Sequence, residues 1–399
     1  NANVDYDIED YISNGNNRDA FKDAWQPRLG FSYDLTGDER HVVFGGAGRS
    51  YNRNQFDYLS FEQYRLAFQR YQFNFETPGH DCDAPDDARS PCIPFDPSLL
   101  DQDALNALIV PGSNFGSEVF LINNDLKTPY SDQFSLGIRN SFPMLGHDWN
   151  STATLLHVVS QDGISIAIGN RRPDGLFYPP GVTFGNSPGA DLPGYSRFFL
   201  MDNGLETRLN QVLLSLEKPY TRESRWGVTL AYTYSEAKEN RTADIFNDVF
   251  DLQNIDDARF IGSTGVPRNR FVGTGIVDFW GVTGSAKFTW ESPTGNKGLD
   301  CFDGFDPGGC NNAQYRTYYF DDQDFVQLDM ALQKEWDTGG GLRVRVRGDV
   351  LNVTNERNYT QFGNFRGVGK VQNPDFGERT GLDIVNPTRT FKLSLGLNW

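Results

Sequence analysis

The sequence predicts an all-β protein, a transmembrane antiparallel β-barrel, on three observations: strict apolar/polar alternation, long strands, and connections that are alternately short and long. The alternation is cleanest near the C-terminal end. Val326, Leu328, Met330, Leu332 and Trp336 fall on one face, and Gln327, Asp329, Ala331, Gln333 and Glu335 on the other. Leu342, Val344, Val346 and Val350 oppose Arg343, Arg345, Arg347 and Asp349, and Phe391, Leu393, Leu395, Leu397 and Trp399 oppose Lys392, Ser394, Gly396 and Asn398. Successive side chains of a strand point to opposite faces, so each segment offers one face to hydrocarbon and one to water.

Taken in order, eleven strands are expected over 25–35, 41–51, 129–142, 149–160, 205–218, 226–238, 269–279, 282–291, 324–336, 342–353 and 388–399. Most run to about ten to fourteen residues, longer than the usual five or six of a soluble sheet and suited to crossing a bilayer at a tilt. The strand over 149–160 alternates least well, because His157 shares a face with Leu155 and Val159. Short connections fall at 36–40, 143–148, 219–225, 280–281 and 337–341. Long ones fall at 52–128, 161–204, 239–268, 292–323 and 354–387, over half the chain. A barrel segregates its connections in this way, with short periplasmic turns and long extracellular loops. Trp25, Tyr51, Tyr130, Trp149, Trp226, Trp336 and Trp399 lie near strand ends, as interfacial girdles require.

An odd number of strands does not close a single-chain bacterial barrel, so eleven strands are expected to be half of a 22-stranded one, the size class with a plugged lumen. Residues 1–24 are then the end of an extracellular loop, residues 25–399 the C-terminal half of the barrel, and the plug domain is expected to be absent from this chain.

Composition removes several classes. No run approaches the roughly twenty apolar residues of a spanning helix. The 31 Phe, 17 Tyr and 7 Trp argue against disorder. With 53 acidic against 36 basic residues, a net charge of −17, the chain lacks the basic surface that nucleic acid needs. A soluble secreted β-protein remains as a bland reading, opposed by the apolar faces.

Cys82 with Cys92, and Cys301 with Cys310, form two local pairs in loops rich in Asp, Gly, Pro and Asn. Neither spacing is CxxC. Three pairings are formally open; the local ones read as two disulfides made in an oxidising compartment, against a bland reading of four free thiols.

No catalytic constellation emerges, and the expectation is not an enzyme. The four histidines, His41, His80, His147 and His157, sit in turns, loops or the least regular strand, and Gly45 to Gly48 precede no helix. The candidates for function lie elsewhere. Gln327, Asp329, Glu335, Arg343, Arg345, Arg347 and Asp349 are expected to line the lumen, since charge on the lipid face is costly. They form either a wall that guides a ligand or a ladder of structural ion pairs. The segment 52–128 opens with Phe56, Tyr58, Phe61, Tyr64, Phe68 and Tyr71, and then carries ten carboxylates over 76–125 against Arg89 alone, Asp81, Asp83, Asp86 and Asp87 among them. This is the candidate ligand loop, expected to fold over the barrel mouth with its aromatics buried or contacting ligand. Its carboxylates suit a divalent cation or a cationic ligand, or simply solvate an exposed loop; no EF-hand spacing is present. No other cofactor is expected.

The segments Trp25 to Asp34, Val43 to Tyr51, Thr128 to Phe134, Arg347 to Asn355, Pro387 to Phe391 and Leu397 to Trp399 occur in an order that resembles the C-terminal half of a TonB-dependent outer-membrane receptor of the Oar-like, carboxypeptidase-regulatory-plug type. The resemblance implies location in the outer membrane of a Gram-negative bacterium, active uptake of a substrate bound by the outer loops, and coupling to the TonB complex through the absent plug. It also implies that Phe391, Leu393, Leu395, Leu397 and Trp399 are read by the barrel-insertion machinery. Besides membrane lipid, a surface protein or lipoprotein partner is expected. The alternative is a surface anchor or adhesion protein that uses the barrel as a scaffold.

Overall fold

The computed structural model describes residues 8–18, 21–22, 24–52, 56–67, 74–75, 92–108, 117–168, 195–240, 260–300, 314–320, 323–368, 370–379, 385–386 and 388–398. Its main sheet is an antiparallel meander of β1 (Arg28–Asp34), β2 (His41–Tyr51), β3 (Tyr130–Met144), β4 (His147–Ile168), β5 (Tyr195–Lys218), β6 (Trp226–Glu239), β7 (Asn269–Phe279), β8 (Val282–Glu291), β9 (Phe325–Asp337), β10 (Arg343–Leu351) and β11 (Thr390–Asn398). Each strand pairs with its predecessor and successor, as alternation and hairpin turns dictate. Among the described residues β1 pairs with β2 alone and β11 with β10 alone, so the sheet is open at both edges.

Register carries the alternation across the whole sheet. Phe31, Gly45, Leu136, Leu155, Val212 and Tyr234 form one continuous row over six strands. Val228, Gly275, Ala286, Met330, Val350 and Phe391 form another over the remainder. This apolar face lies open: Leu136 is 51% exposed, Leu332 57% and Leu393 80%. A protein surrounded by water buries such a face, at about 25 cal/mol for each Å² removed from solvent. Here the outward stripe is the lipid-facing band of a barrel wall. Gly45 keeps strands close within it: a Cβ there would stand 2.7 Å from the Phe31 ring and 2.8 Å from the Ser135 carbonyl.

The short connections are tight. Leu145–Gly146 joins β3 to β4 and Trp280–Gly281 joins β7 to β8, with φ of 55° and 76° in the first and 48° and 75° in the second. Positive φ at both central residues is what a two-residue hairpin needs to follow the strand twist.

At the opposite end, α1 (Phe56–Ala67) and the strand Ser117–Ile122 build a small assembly on the upper parts of β4 and β5. Ser117–Ile122 pairs in parallel with β5 from Tyr195 to Met201. Phe120, Ile122, Ile166, Phe199 and Met201 are its buried core, with Tyr58, Phe61, Leu126 and Ile164 packed around them. Phe120 stacks on Phe199 at 4.4 Å and on Phe61 at 5.4 Å. Arg18 clamps this assembly with a fork of hydrogen bonds to both Glu62 oxygens (2.6 and 2.7 Å) and a third to the Ile122 carbonyl, while Tyr11 donates to Asp202 at 2.9 Å.

Two expectations change. The strands expected over 149–160 and 205–218 run on, through Ile168 and back from Tyr195, so both ends of the loop expected at 161–204 are strand. A bulge at Asp162 and Gly163, with Asp162 at φ 56°, shifts the register there and hides the continuation from any test of strict alternation. His147, expected in the connection 143–148, begins β4.

Candidate functional site

The polar face of the meander gathers charge. Glu217, Thr229, Thr274, Lys287 and Asp329 lie in one register row across β5 to β9. Four residues nearer the short turns, Asp278, Thr283, Gln333, Arg347 and Ser394 form a parallel row. Between and around these rows opens a cavity of about 500 Å³, lined by Glu217, Lys287, Asp329, Arg347, Asp349 and Tyr220 among others.

Hydrogen bonds fix the carboxylates. Asp329 accepts from both the Gln327 amide (2.9 Å) and the Asn352 backbone N–H (2.8 Å). Asn352 itself is fully buried at φ 52°, its amide bridging the N–H and the carbonyl of Glu356, which shapes the chain as it leaves β10. The Arg347 Nε donates to Asp349 at 2.8 Å. Asp278 accepts from Thr283 at 2.6 Å and from the Tyr220 hydroxyl. That bond to a carboxylate, before burial, holds the Tyr220 phenol above the ordinary tyrosine value of 10.0. The result is a wall of both charge signs held in fixed directions, suited to a polar ligand with several donors and acceptors.

The residues singled out from the sequence separate into three groups. Gln327, Asp329, Glu335, Arg343, Arg345, Arg347 and Asp349 all share the polar face, since Glu335 opposes Arg345 and Gln333 opposes Arg347. Of these, Asp329, Arg347 and Asp349 line the cavity and Gln327 braces Asp329. Glu335, Arg343 and Arg345 stand nearer the β9–β10 turn, where Arg343 meets Glu335 at 3.8 Å. In the outer segment Tyr58 and Phe61 pack into the assembly core. Phe56 and Tyr64 lie on α1, and Cys92 lies on the two-residue strand Cys92–Ile93. Phe68, Tyr71, Asp81, Asp83, Asp86, Asp87, Cys82, Cys301, Cys310 and Trp399 lie outside the described residues. Glu217, Lys287 and Tyr220 were missed by sequence reasoning. Polar parity on the strands holds the signal for the first two, but only register brings them to Asp329.

A larger hollow, about 710 Å³, lies against Leu29, Phe134, Leu155, His157, Asn210 and Tyr234. It belongs to the apolar face and is walled by hydrocarbon, so despite its size it is a poorer home for a polar ligand. His157 spends its Nδ1 on Asn210 there, at 2.6 Å.

A family model described as an outer membrane beta barrel domain matches residues 5–291. The chain belongs to this outer-membrane β-barrel family. It is therefore a protein of the Gram-negative outer membrane, and the open apolar face is the one that meets lipid. No curated protein sequence matches it. Among solved structures it is similar to the outer membrane transporter YddB from Escherichia coli, with 13% identity, a TM-score of 0.55, and coverage of 94% of this chain and 40% of that one. It is also similar to a mutant of the ferric enterobactin receptor PfeA from Pseudomonas aeruginosa, with 13% identity, a TM-score of 0.49, and the same coverage of 94% and 40%. At such identities the likeness is one of fold, and the chain spans 40% of the length of these structures. The likeness to YddB agrees with the barrel fold expected from the sequence.

Proposed function

We propose that this chain forms part of the barrel wall of a TonB-dependent outer-membrane transporter. Its polar face lines the lumen, its short turns lie in the periplasm, and its long connections bind substrate outside the cell. The observation that carries this reading is the register row Glu217, Thr229, Thr274, Lys287 and Asp329, which sets a charged cavity on the face turned away from lipid. Residues 25–399 are on this reading the C-terminal half of a 22-stranded barrel whose plug meets TonB, and β11 is the strand read by the insertion machinery. The acidic stretch with Asp81, Asp83, Asp86 and Asp87 presents a cation-attracting surface outside, where a surface lipoprotein would also dock; the disulfide Cys82–Cys92 closes a small loop within it, and Cys301–Cys310 closes another in the connection 292–323.

The test is accumulation of labelled metal-chelate, vitamin and oligosaccharide probes by cells with and without the gene, each with the inner membrane energised and de-energised. Uptake of one probe class that needs both the gene and the energised membrane is the expected result. Unchanged uptake of all three, with loss of surface attachment, would replace transport by the anchor reading.

A further inference from the structure

Two hairpins at the short-turn end close in the same costly way. Leu145 and Trp280 each occupy the first central position of a two-residue turn, at φ 55° and 48°, and Gly146 and Gly281 follow. Asn, Asp or Gly takes that left-handed position readily, whereas a bulky side chain is strained in it. Both side chains also stand in the open: Leu145 is 82% exposed and Trp280 91%. Local stability alone would place Asn-Gly at both turns.

What surrounds the knobs identifies what they meet. The last strand pair before each turn, Met144 with His147 and Phe279 with Val282, lies on the apolar face. The same face at the same end carries Trp149 and Trp226, 6.1 Å apart, and Trp336 with the Lys334 ammonium 5.5 Å from its ring. Tryptophan beside cations is the chemistry of a headgroup boundary. The two knobs are also separated by the β5–β6 hairpin, four inter-strand spacings of roughly 4.8 Å each. Isolated knobs spread along a rim fit a planar lipid surface better than the contiguous patch a protein partner requires.

We propose that Leu145 and Trp280 are turn-borne membrane anchors, which enter the headgroup boundary of the leaflet at the short-turn end and set the depth of the wall in the bilayer. The strain of each turn is offset by burial of its side chain in lipid, and that offset is lost when lipid is removed.

The test uses the full-length protein and its W280N and L145N variants in phosphatidylcholine vesicles and in detergent micelles. Subtracting the emission of W280N from that of the parent isolates Trp280; W280F supplies the same difference should W280N fail to insert. The expected signal is blue-shifted in vesicles and falls at least about twofold with lipid brominated beside the headgroup, less with bromine at the chain end. Both Asn variants are expected to unfold at equal or higher urea than the parent in micelles, and at lower urea in vesicles. An unquenched, water-like Trp280 signal would overturn the proposal, and so would protection of Trp280 by a soluble periplasmic protein instead of lipid. Variants that gain stability in vesicles as they do in micelles would overturn it equally.

Discussion

The meander and the assembly above it are built from the same strands, yet they hold their side chains by different rules. In the wall, Leu136, Leu332 and Leu393 are exposed, and Asp329, Glu335, Arg343, Arg345, Arg347 and Asp349 share the opposite face. In the assembly, Phe120 and Met201 are buried to 1% and 0%, in a core like that of a soluble domain. β4 and β5 pass through both regimes, changing rule at the bulge near Asp162. The comparison teaches that one strand can answer to lipid over part of its length and to its own neighbours over the rest.

The largest way to break the contrast is Phe120→Ala. Removing a ring stacked on both Phe61 and Phe199 should cost about 3–5 kcal/mol, confined to the assembly. Limited proteolysis should then cut near α1 while heat-modifiable gel mobility of the barrel persists. Next is Leu332→Arg on the lipid face, expected to cost roughly 2–4 kcal/mol by urea titration in vesicles. Leu→Arg at a loop position of similar exposure should cost far less. Glu62→Gln, which unpairs Arg18 from a carboxylate that is 12% exposed, should cost about 1.5–3 kcal/mol and free residues 8–18 to protease.

A pH titration sharpens the same comparison. Burial, then the charge and hydrogen bond of Asp202, raises the Tyr11 pKa well above its ordinary 10.0. Because the folded value exceeds the unfolded one, the contact contributes fully below pH 10 and is lost progressively as pH rises beyond it. Protease should release residues 8–18 in alkali before the wall itself yields. The smallest effect belongs to Glu335→Gln: its 3.8 Å pair with Arg343 is largely solvated, and urea stability should change by about 0–1 kcal/mol.

How much of this was legible in the sequence follows from the same division. Alternation is a local signal, so β2, β7 and β8 could be placed over 41–51, 269–279 and 282–291, the bounds they have in the structure. The polar face of β9 and β10 was equally readable, because parity alone puts Asp329, Arg347 and Asp349 together. The cavity was not, because Glu217 reaches Asp329 only through four strand pairings that no local window contains. The aromatics of α1 read as either buried or touching ligand; Tyr58 and Phe61 take the first course, in a core completed by residues more than a hundred positions away that no local window contains.

That distance bears on the order of assembly. Every second connection of the wall joins neighbouring strands across a few residues, and such closures are fast. Tyr11 and Asp202 are 191 positions apart, and Ser117–Ile122 needs the far end of β5 before it has an edge to pair with. The short hairpins are therefore expected to close first, and the outer assembly only once the far end of β5 offers its edge to Ser117–Ile122.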